Sequence, residues 1–274
     1  MAVTMAEISK LRKLTGAGMM DCKNALTETN GDIEAAKEII RKKGQAVAAK
    51  REDREAAEGC VVAKAEGAYA AIVALKCETD FVAKNESFIA LTNKILDAAM
   101  AAKAKSRDEV LALTIDGSDV ASCITDEIGK TGEKMELGDF EYIEAPYTTA
   151  YIHPGNKLAT IVGFNIADTD YQVAHDVAMQ VAAMNPIAVR REEVPAETIE
   201  KEMEIGREKA RQEGKPENIL DRIAEGRLHK FFQEYCLVDQ AFVKEPKETI
   251  QQYMSKSNKE LTVTAFRRFT LNEE

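Results

Sequence analysis

The sequence predicts an α+β protein: an N-terminal three-helix bundle, then two repeated α+β subdomains with antiparallel sheets, and an inserted antiparallel helical hairpin. Three observations carry this reading. Residues 4–44 repeat apolar side chains at helical spacing, with cap and stop residues between them. A hairpin-then-helix pattern that begins near residue 59 returns about 90 residues later. Residues 195–235 combine a narrow apolar seam with dense charge.

Thr4 and Glu7 have capping-box spacing, and Met5, Ile8 and Leu11 repeat at helical intervals. Gly16-Ala17-Gly18 stops that helix, because glycine tolerates the left-handed turn. Met19 to Leu26 form a second helix. Asn30-Gly31-Asp32 turns the chain and caps a third, with Ile33, Ala36, Ile39 and Ile40 on its apolar face and Gly44 closing it. Residues 1–44 make one small unit, near the lower size limit of independent stability of roughly 40 residues. Residues 45–58 are Ala-rich and heavily charged and read as a solvated linker.

Residues 59–145 are the first subdomain. Cys60–Lys64 and Ala68–Cys77 flank the turn Glu66-Gly67, and Tyr69, Ala71, Val73 and Leu75 share a face. Cys77-Glu78-Thr79-Asp80-Phe81-Val82-Ala83-Lys84-Asn85 then joins this strand to a long helix striped by Phe88, Leu91, Ile95, Ala98 and Ala102. At that corner Thr79 or Asp80 caps the helix, and Phe81 is either a core staple or an exposed aromatic. Residues 106–145 hold a short helix and a strand near Lys134 to Glu144.

The second subdomain is residues 146–194 and 236–274, with the hairpin at 195–235 between its parts. Thr148–Pro154, a turn at Gly155-Asn156, and Lys157–Ala167 repeat the first hairpin, and Thr169-Asp170-Tyr171 repeats Thr79-Asp80-Phe81. A helix with Val173, Val177, Val181 and Met184 follows and ends at Asn185-Pro186. The repeat gives the triplet a structural use of its own, with Tyr171 expected as a core staple. In the hairpin, Ile199, Met203, Gly206 and Ala210 follow a period of about 3.5 residues. Gly214-Lys215-Pro216 breaks the helix, and a second helix reaches Tyr235. The last strand is expected to set Val263, Ala265, Phe269 and Leu271 on one face.

Composition narrows the function classes. The net charge is −10, with 45% hydrophobic and 31% charged residues, so the chain is a poor default binder of phosphate backbones. Residues 1–55 hold 11 Lys and Arg against 9 Asp and Glu, too mixed for a nucleic-acid patch. Cys22, Cys60, Cys77, Cys123 and Cys236 form no C-x-x-C pair, which fits buried thiols in a reducing compartment. No phosphate loop of the G-x-x-x-x-G-K-[ST] type occurs, and Gly16-Ala17-Gly18 follows a helix, so it fails the dinucleotide pattern. His153, His175 and His229 lack metal-ligand spacing. No run approaches the roughly 20 apolar residues that span a bilayer. The N-terminus lacks the basic start and apolar core of a signal peptide. A cytoplasmic protein is expected, with no enzyme chemistry, cofactor, metal, membrane or nucleic acid of its own.

Two long stretches carry a resemblance: Leu11-Arg12-Lys13-Leu14-Thr15-Gly16-Ala17-Gly18-Met19-Met20-Asp21-Cys22-Lys23-Asn24-Ala25-Leu26, and Thr79-Asp80-Phe81-Val82. Over nearly its whole length the chain resembles the translation elongation factor Ts family, the guanine nucleotide exchange factors of elongation factor Tu. It departs from the family at Ala74 and Lys76, where Glu and Asn are frequent, and it stops where longer members add a helical C-terminal module. The resemblance implies that the first bundle is similar to a ubiquitin-associated domain. It implies partner contacts at Thr79, Asp80, Phe81 and Val82, with Phe81 as a wedge and Asp80 disturbing the network around the partner's magnesium. It further implies contacts at Arg12, Met19 and Met20, and at His153 near the third domain of factor Tu. From the residues alone, Met19 and Met20 either fill the bundle or face a partner, and His153 is either a turn residue or a contact. The rival reading is a ubiquitin-associated-like adaptor without exchange activity.

Overall fold

The computed structural model describes residues 3–271. Three helices open it: α1 (Met5–Thr15), α2 (Met19–Glu28) and α3 (Ile33–Lys50). Thr4 and Glu7 form the capping box of α1, and Gly16 ends it at φ 71°. Asp32 caps α3 by accepting the N–H groups of Glu34 and Ala35. Ile8, Leu11, Cys22, Leu26 and Ala36 bury against one another at the centre.

α3 does not stop at Gly44. It runs on to Lys50, so residues 45–50 are helix rather than linker. The cause is local and tertiary together. Ala-rich sequence favours helix, and one interior glycine costs only about 1 kcal/mol. Gly44 is buried against another helix, and Val47 and Ala48 pack on the main core.

Strands β1 (Glu58–Glu66) and β2 (Tyr69–Cys77) follow, then a one-turn helix α4 (Asp80–Ala83) and the long α5 (Glu86–Ala102). The expected single helix is therefore two, because Asn85 breaks in and caps α5 through Ser87 N–H. Next come α6 (Arg107–Ala112), β3 (Thr114–Ile115), β4 (Ser118–Asp119), α7 (Val120–Thr131) and β5 (Met135–Glu144). β1, β2 and β5 make one antiparallel sheet with β2 in the centre. After β6 (Tyr147–Ile152), β7 (Leu158–Phe164) and α8 (Tyr171–Met184), the chain forms the helix pair α9 (Ala196–Gln212) and α10 (Leu220–Tyr235). Its seam uses small residues: Gly206 lies on Ala224, where an added Cβ would be 3.0 Å from the Ala224 Cα. β8 (Ala241–Phe242), β9 (Glu245–Thr249), α11 (Ile250–Ser257) and β10 (Val263–Thr270) complete the fold. The second sheet has the order β10-β7-β6.

The fold is α+β and layered. Tyr69, Val73 and Leu75 of β2 face Phe88 and Ile95 of α5. Ala70, Ile72 and Ala74, on the opposite face of β2, meet Ala159 and Ile161 of the second sheet. The far face of that sheet packs Val162 and Phe164 on Val177 and Val181 of α8. Helix, sheet, sheet and helix follow in order.

The last strand departs from simple alternation. Its register on β7 shifts between Val263 and Ala265. That irregularity turns Val263 toward the α8 core and Ala265, Phe269 and Leu271 toward the sheet–sheet core, so the four do not share a face. Among the described residues, no helix is long and apolar enough to cross a membrane.

Phe88 is fully buried at the centre of the α5 layer. Phe88→Ala is expected to cost about 3–5 kcal/mol of stability, read as a lower denaturant midpoint.

Candidate functional site

The corner after β2 is held by the sheet it leaves. Cys77 pairs with Met135 at the end of the β2–β5 ladder. The next two residues on β2's side therefore meet the two just before β5. Glu78 accepts the Lys134 N–H at 2.7 Å, and Arg51 and Arg54 pair with its carboxylate at 3.3 and 3.6 Å. Thr79 donates its N–H to Glu133 Oε2 at 3.0 Å and its hydroxyl to Oε1 at 2.6 Å. The Cys77 thiol donates to the Thr79 carbonyl at 3.3 Å. Burial, with the Glu133 charge adding to it, pushes that thiol up to about 12, so it stays protonated.

Thr79 also caps α4, accepting from Val82 N–H. This sets the phase of the short helix. Val82 and Ala83 turn inward onto the core, and Phe81 turns outward, 84% exposed. Asp80 opens the helix and pairs with Lys84 at 2.6 Å. The Lys84 ammonium holds the Asp80 carboxyl below the usual carboxylate range. A phenylalanine in water forfeits roughly 1.5–3 kcal/mol that burial would return, so the corner offers an apolar group to any surface that covers it.

The second copy differs by one residue. Asp170, not Thr169, caps α8 by accepting Val173 N–H. Tyr171 thereby becomes the first helical residue and is 67% exposed, so it is not the expected core staple. It stacks on His175 at 5.7 Å, and His175 meets Tyr151 edge-on at the same distance. Tyr151 in turn hydrogen-bonds His153 through its hydroxyl at 3.1 Å.

His153 is exposed at the β6–β7 turn. It lines a groove of about 540 Å³ with Lys84, Tyr151, Lys157, Met179 and Val243. Lys84 comes from the first copy's corner, so this groove brings the corner and the hairpin tip together. Arg12, Met19 and Met20 lie apart, all exposed on the bundle. Met19 is 43% and Met20 64% exposed, so neither fills the bundle. Among the described residues, no group of three or more His, Cys, Asp or Glu side chains is placed to hold a metal.

A family model described as Elongation factor TS matches residues 78–273. The chain belongs to the elongation factor Ts family. The Elongation factor Ts of Porphyromonas gingivalis is 60% identical over 275 residues, covering 100% of both chains. That of Azobacteroides pseudotrichonymphae is 54% identical over 274 residues, again covering 100% of both. That of Bacteroides fragilis is 45% identical across 331 aligned positions, with 100% of each chain included. The family match begins at Glu78, one residue before the corner triplet, and the full-length relatives also cover the bundle with Arg12, Met19 and Met20.

Sequence reasoning missed Glu133, which grips Thr79 from 54 positions away. No local pattern marks it. The only sequence hint is that a strand beginning near Lys134 would pair with β2 and bring residue 133 beside the corner.

The geometry separates anchor from tip. Thr79→Ala removes both the cap and the Glu133 grip and is expected to lower stability by about 1–2 kcal/mol. Phe81→Ala and Tyr171→Ala are expected to leave the melting temperature nearly unchanged. Thermal melts of the three variants check this.

Proposed function

We propose that this protein binds elongation factor Tu in its GDP form, opens the nucleotide site, and so promotes GDP release and GTP loading. The observation that carries the reading is Phe81, exposed on a corner whose neighbours Glu78 and Thr79 are fixed by Glu133 and Lys134. A wedge needs a rigid mount, because a mobile aromatic would lose its binding energy to ordering on contact. Asp80 beside it supplies a carboxylate directed at the network around the partner's magnesium. Arg12, Met19 and Met20 form a second grip, with methionine suited to an irregular apolar surface. His153 and the groove beside it form a third contact.

Exchange of this kind needs no covalent chemistry and no nucleotide site on the factor. It needs a coupling free energy: the factor binds nucleotide-free partner more tightly than the GDP complex, and by linkage GDP weakens factor binding equally. Membership of the elongation factor Ts family supports the reading, as does the absence of a phosphate loop from the sequence. The work would be done in the cytoplasm.

Release of labelled GDP from elongation factor Tu, with and without this protein, tests it. Acceleration by the parent protein is expected. Phe81→Ala is expected to lose at least about tenfold of that acceleration, equivalent to about 1.4 kcal/mol of barrier. Asp80→Ala is expected to slow release to a smaller degree. No acceleration by the parent would leave the adaptor reading standing, and full activity in Phe81→Ala would remove the wedge.

A further inference from the structure

α7 packs on the bundle through α3 and leads directly into Glu133 at the corner, which Arg51 and Arg54, just past α3, also reach through Glu78. On the bundle side its backbone meets that of α3. A Cβ on Gly129 would lie 2.7 Å from the Gly44 Cα, and one on Gly44 would lie 3.3 Å from the Gly129 Cα. The next residue, Lys130, lays its aliphatic chain over Gly16, where a Cβ would be 2.8 Å from the Lys130 Cδ. Gly16 belongs to the stop that leads into Met19 and Met20. Arg41 of α3 reaches Ser122 at 3.3 Å. Beside these contacts lies a cavity of about 270 Å³, lined by Leu14, Lys37, Arg41 and Asp126 among others. The bundle is thus seated by this close backbone crossing together with Val47 and Ala48 of α3, which pack on the main core.

On the corner side, Glu133 follows α7 directly and grips Thr79. Glu127, buried within α7, ties the two sides together. One carboxylate oxygen accepts from Ser87 at the start of α5, and the other pairs with Lys130 at 2.8 Å. An ion pair whose carboxylate is buried and whose ammonium is partly exposed is a weak source of stability. What it does supply here is a fixed geometry between Lys130, over the bundle, and Ser87, beside the corner.

We propose that α7 holds the bundle and the Phe81 corner at one fixed spacing, with Gly129 and Glu127 as positioning residues for nucleotide exchange. The inference rests on the exchange reading above and adds its geometric requirement. When two contacts sit on one rigid body, the second forms intramolecularly once the first has formed, and its effective concentration collapses if the spacing is wrong. Neither residue touches the partner. Each acts through the spacing of residues that do.

The test pairs a distance with a kinetic split in the full chain. Spin labels at Lys10→Cys and Asn93→Cys, in a Cys123→Ser background, report the spacing of bundle and core. GDP release from elongation factor Tu is measured against factor concentration. The parent is expected to give one narrow distance distribution, and Gly129→Val a broad or displaced one. In Gly129→Val the half-saturating concentration is expected to rise about tenfold or more, with the maximal release rate within about twofold of the parent, because the second grip is lost and the wedge is not. Glu127→Ala is expected to raise the half-saturating concentration as well, and Glu127→Gln to recover most of it, since the amide oxygen still accepts from Ser87 or Lys130. Should Gly129→Val fail to fold, the Glu127 pair decides. Glu127→Ala removes the buried charge itself, and the Lys130 it leaves is partly exposed to water. An active parent with a broad distance distribution overturns the inference alone. So does a folded Gly129→Val with the parent's half-saturation, or a Glu127→Gln no better than Glu127→Ala. A parent that releases no GDP overturns the exchange reading and this inference with it.

Discussion

β2 has almost no exposed face, and the rest of the molecule is arranged to cover it. Seven of its first residues in succession, Tyr69 to Leu75, are buried. A strand buried on both sides needs two partners in depth as well as two in the sheet. α5 covers one face and the second sheet covers the other, with β1 and β5 alongside. The two faces are built differently. Tyr69, Val73 and Leu75 fill the space under a helix, whereas Ala70 and Ala74 keep the opposite face low enough for another sheet to approach. Gly163 makes the same allowance from the other side, where a Cβ would lie 2.8 Å from the Ala145 Cβ.

The corner inherits its rigidity from that strand. It leaves the sheet where β2 and β5 are still paired, so its first two residues find partners one step beyond the ladder on the opposite strand. The exposed aromatic is therefore the far end of a continuous chain of fixed groups: core, sheet end, carboxylate grip, helical turn. The cost of leaving Phe81 in water falls on a surface turn, not on packing. Val82 and Ala83 supply the inward contacts that hold the turn down.

Much of this was legible in the sequence. Periodicity and caps gave the three helices, both hairpins, α5, α8 and the helix pair, and the internal repeat gave two related halves. What failed did so for identifiable reasons. Gly44 reads as a stop because glycine usually is one, yet a backbone-to-backbone crossing uses the same residue inside a helix. The shift in β10 is invisible to an alternation count, because one extra residue moves every later side chain to the other face. Tyr171 reads as buried by analogy with a staple, but moving the cap by one residue turns it outward. α7 was hardest to see. Its inward residues Val120, Ile124 and Ile128 are few and share the buried face with a carboxylate, Glu127. Its importance comes from what it touches, not from its own pattern. Among the residues proposed to act, the exposed Phe81, Met19 and Met20 stand in the two recognisable stretches, while Glu127, Gly129 and Glu133 carry only tertiary meaning.

The thiol of Cys77 gives the corner a built-in chemical clock. Burial raises its ionisation far above that of a free thiol, so almost no thiolate is present at neutral pH, and the side chain is buried and donates to the Thr79 carbonyl. An alkylating reagent can reach it rapidly only when the corner detaches from the sheet and the thiol regains an ordinary ionisation. The labelling rate at this one sulfur then counts openings of the corner, much as amide exchange counts openings of a hydrogen bond. Cys60 and Cys236, also buried and pushed up by burial, keep the same kind of record for the first sheet and the base of the helix pair.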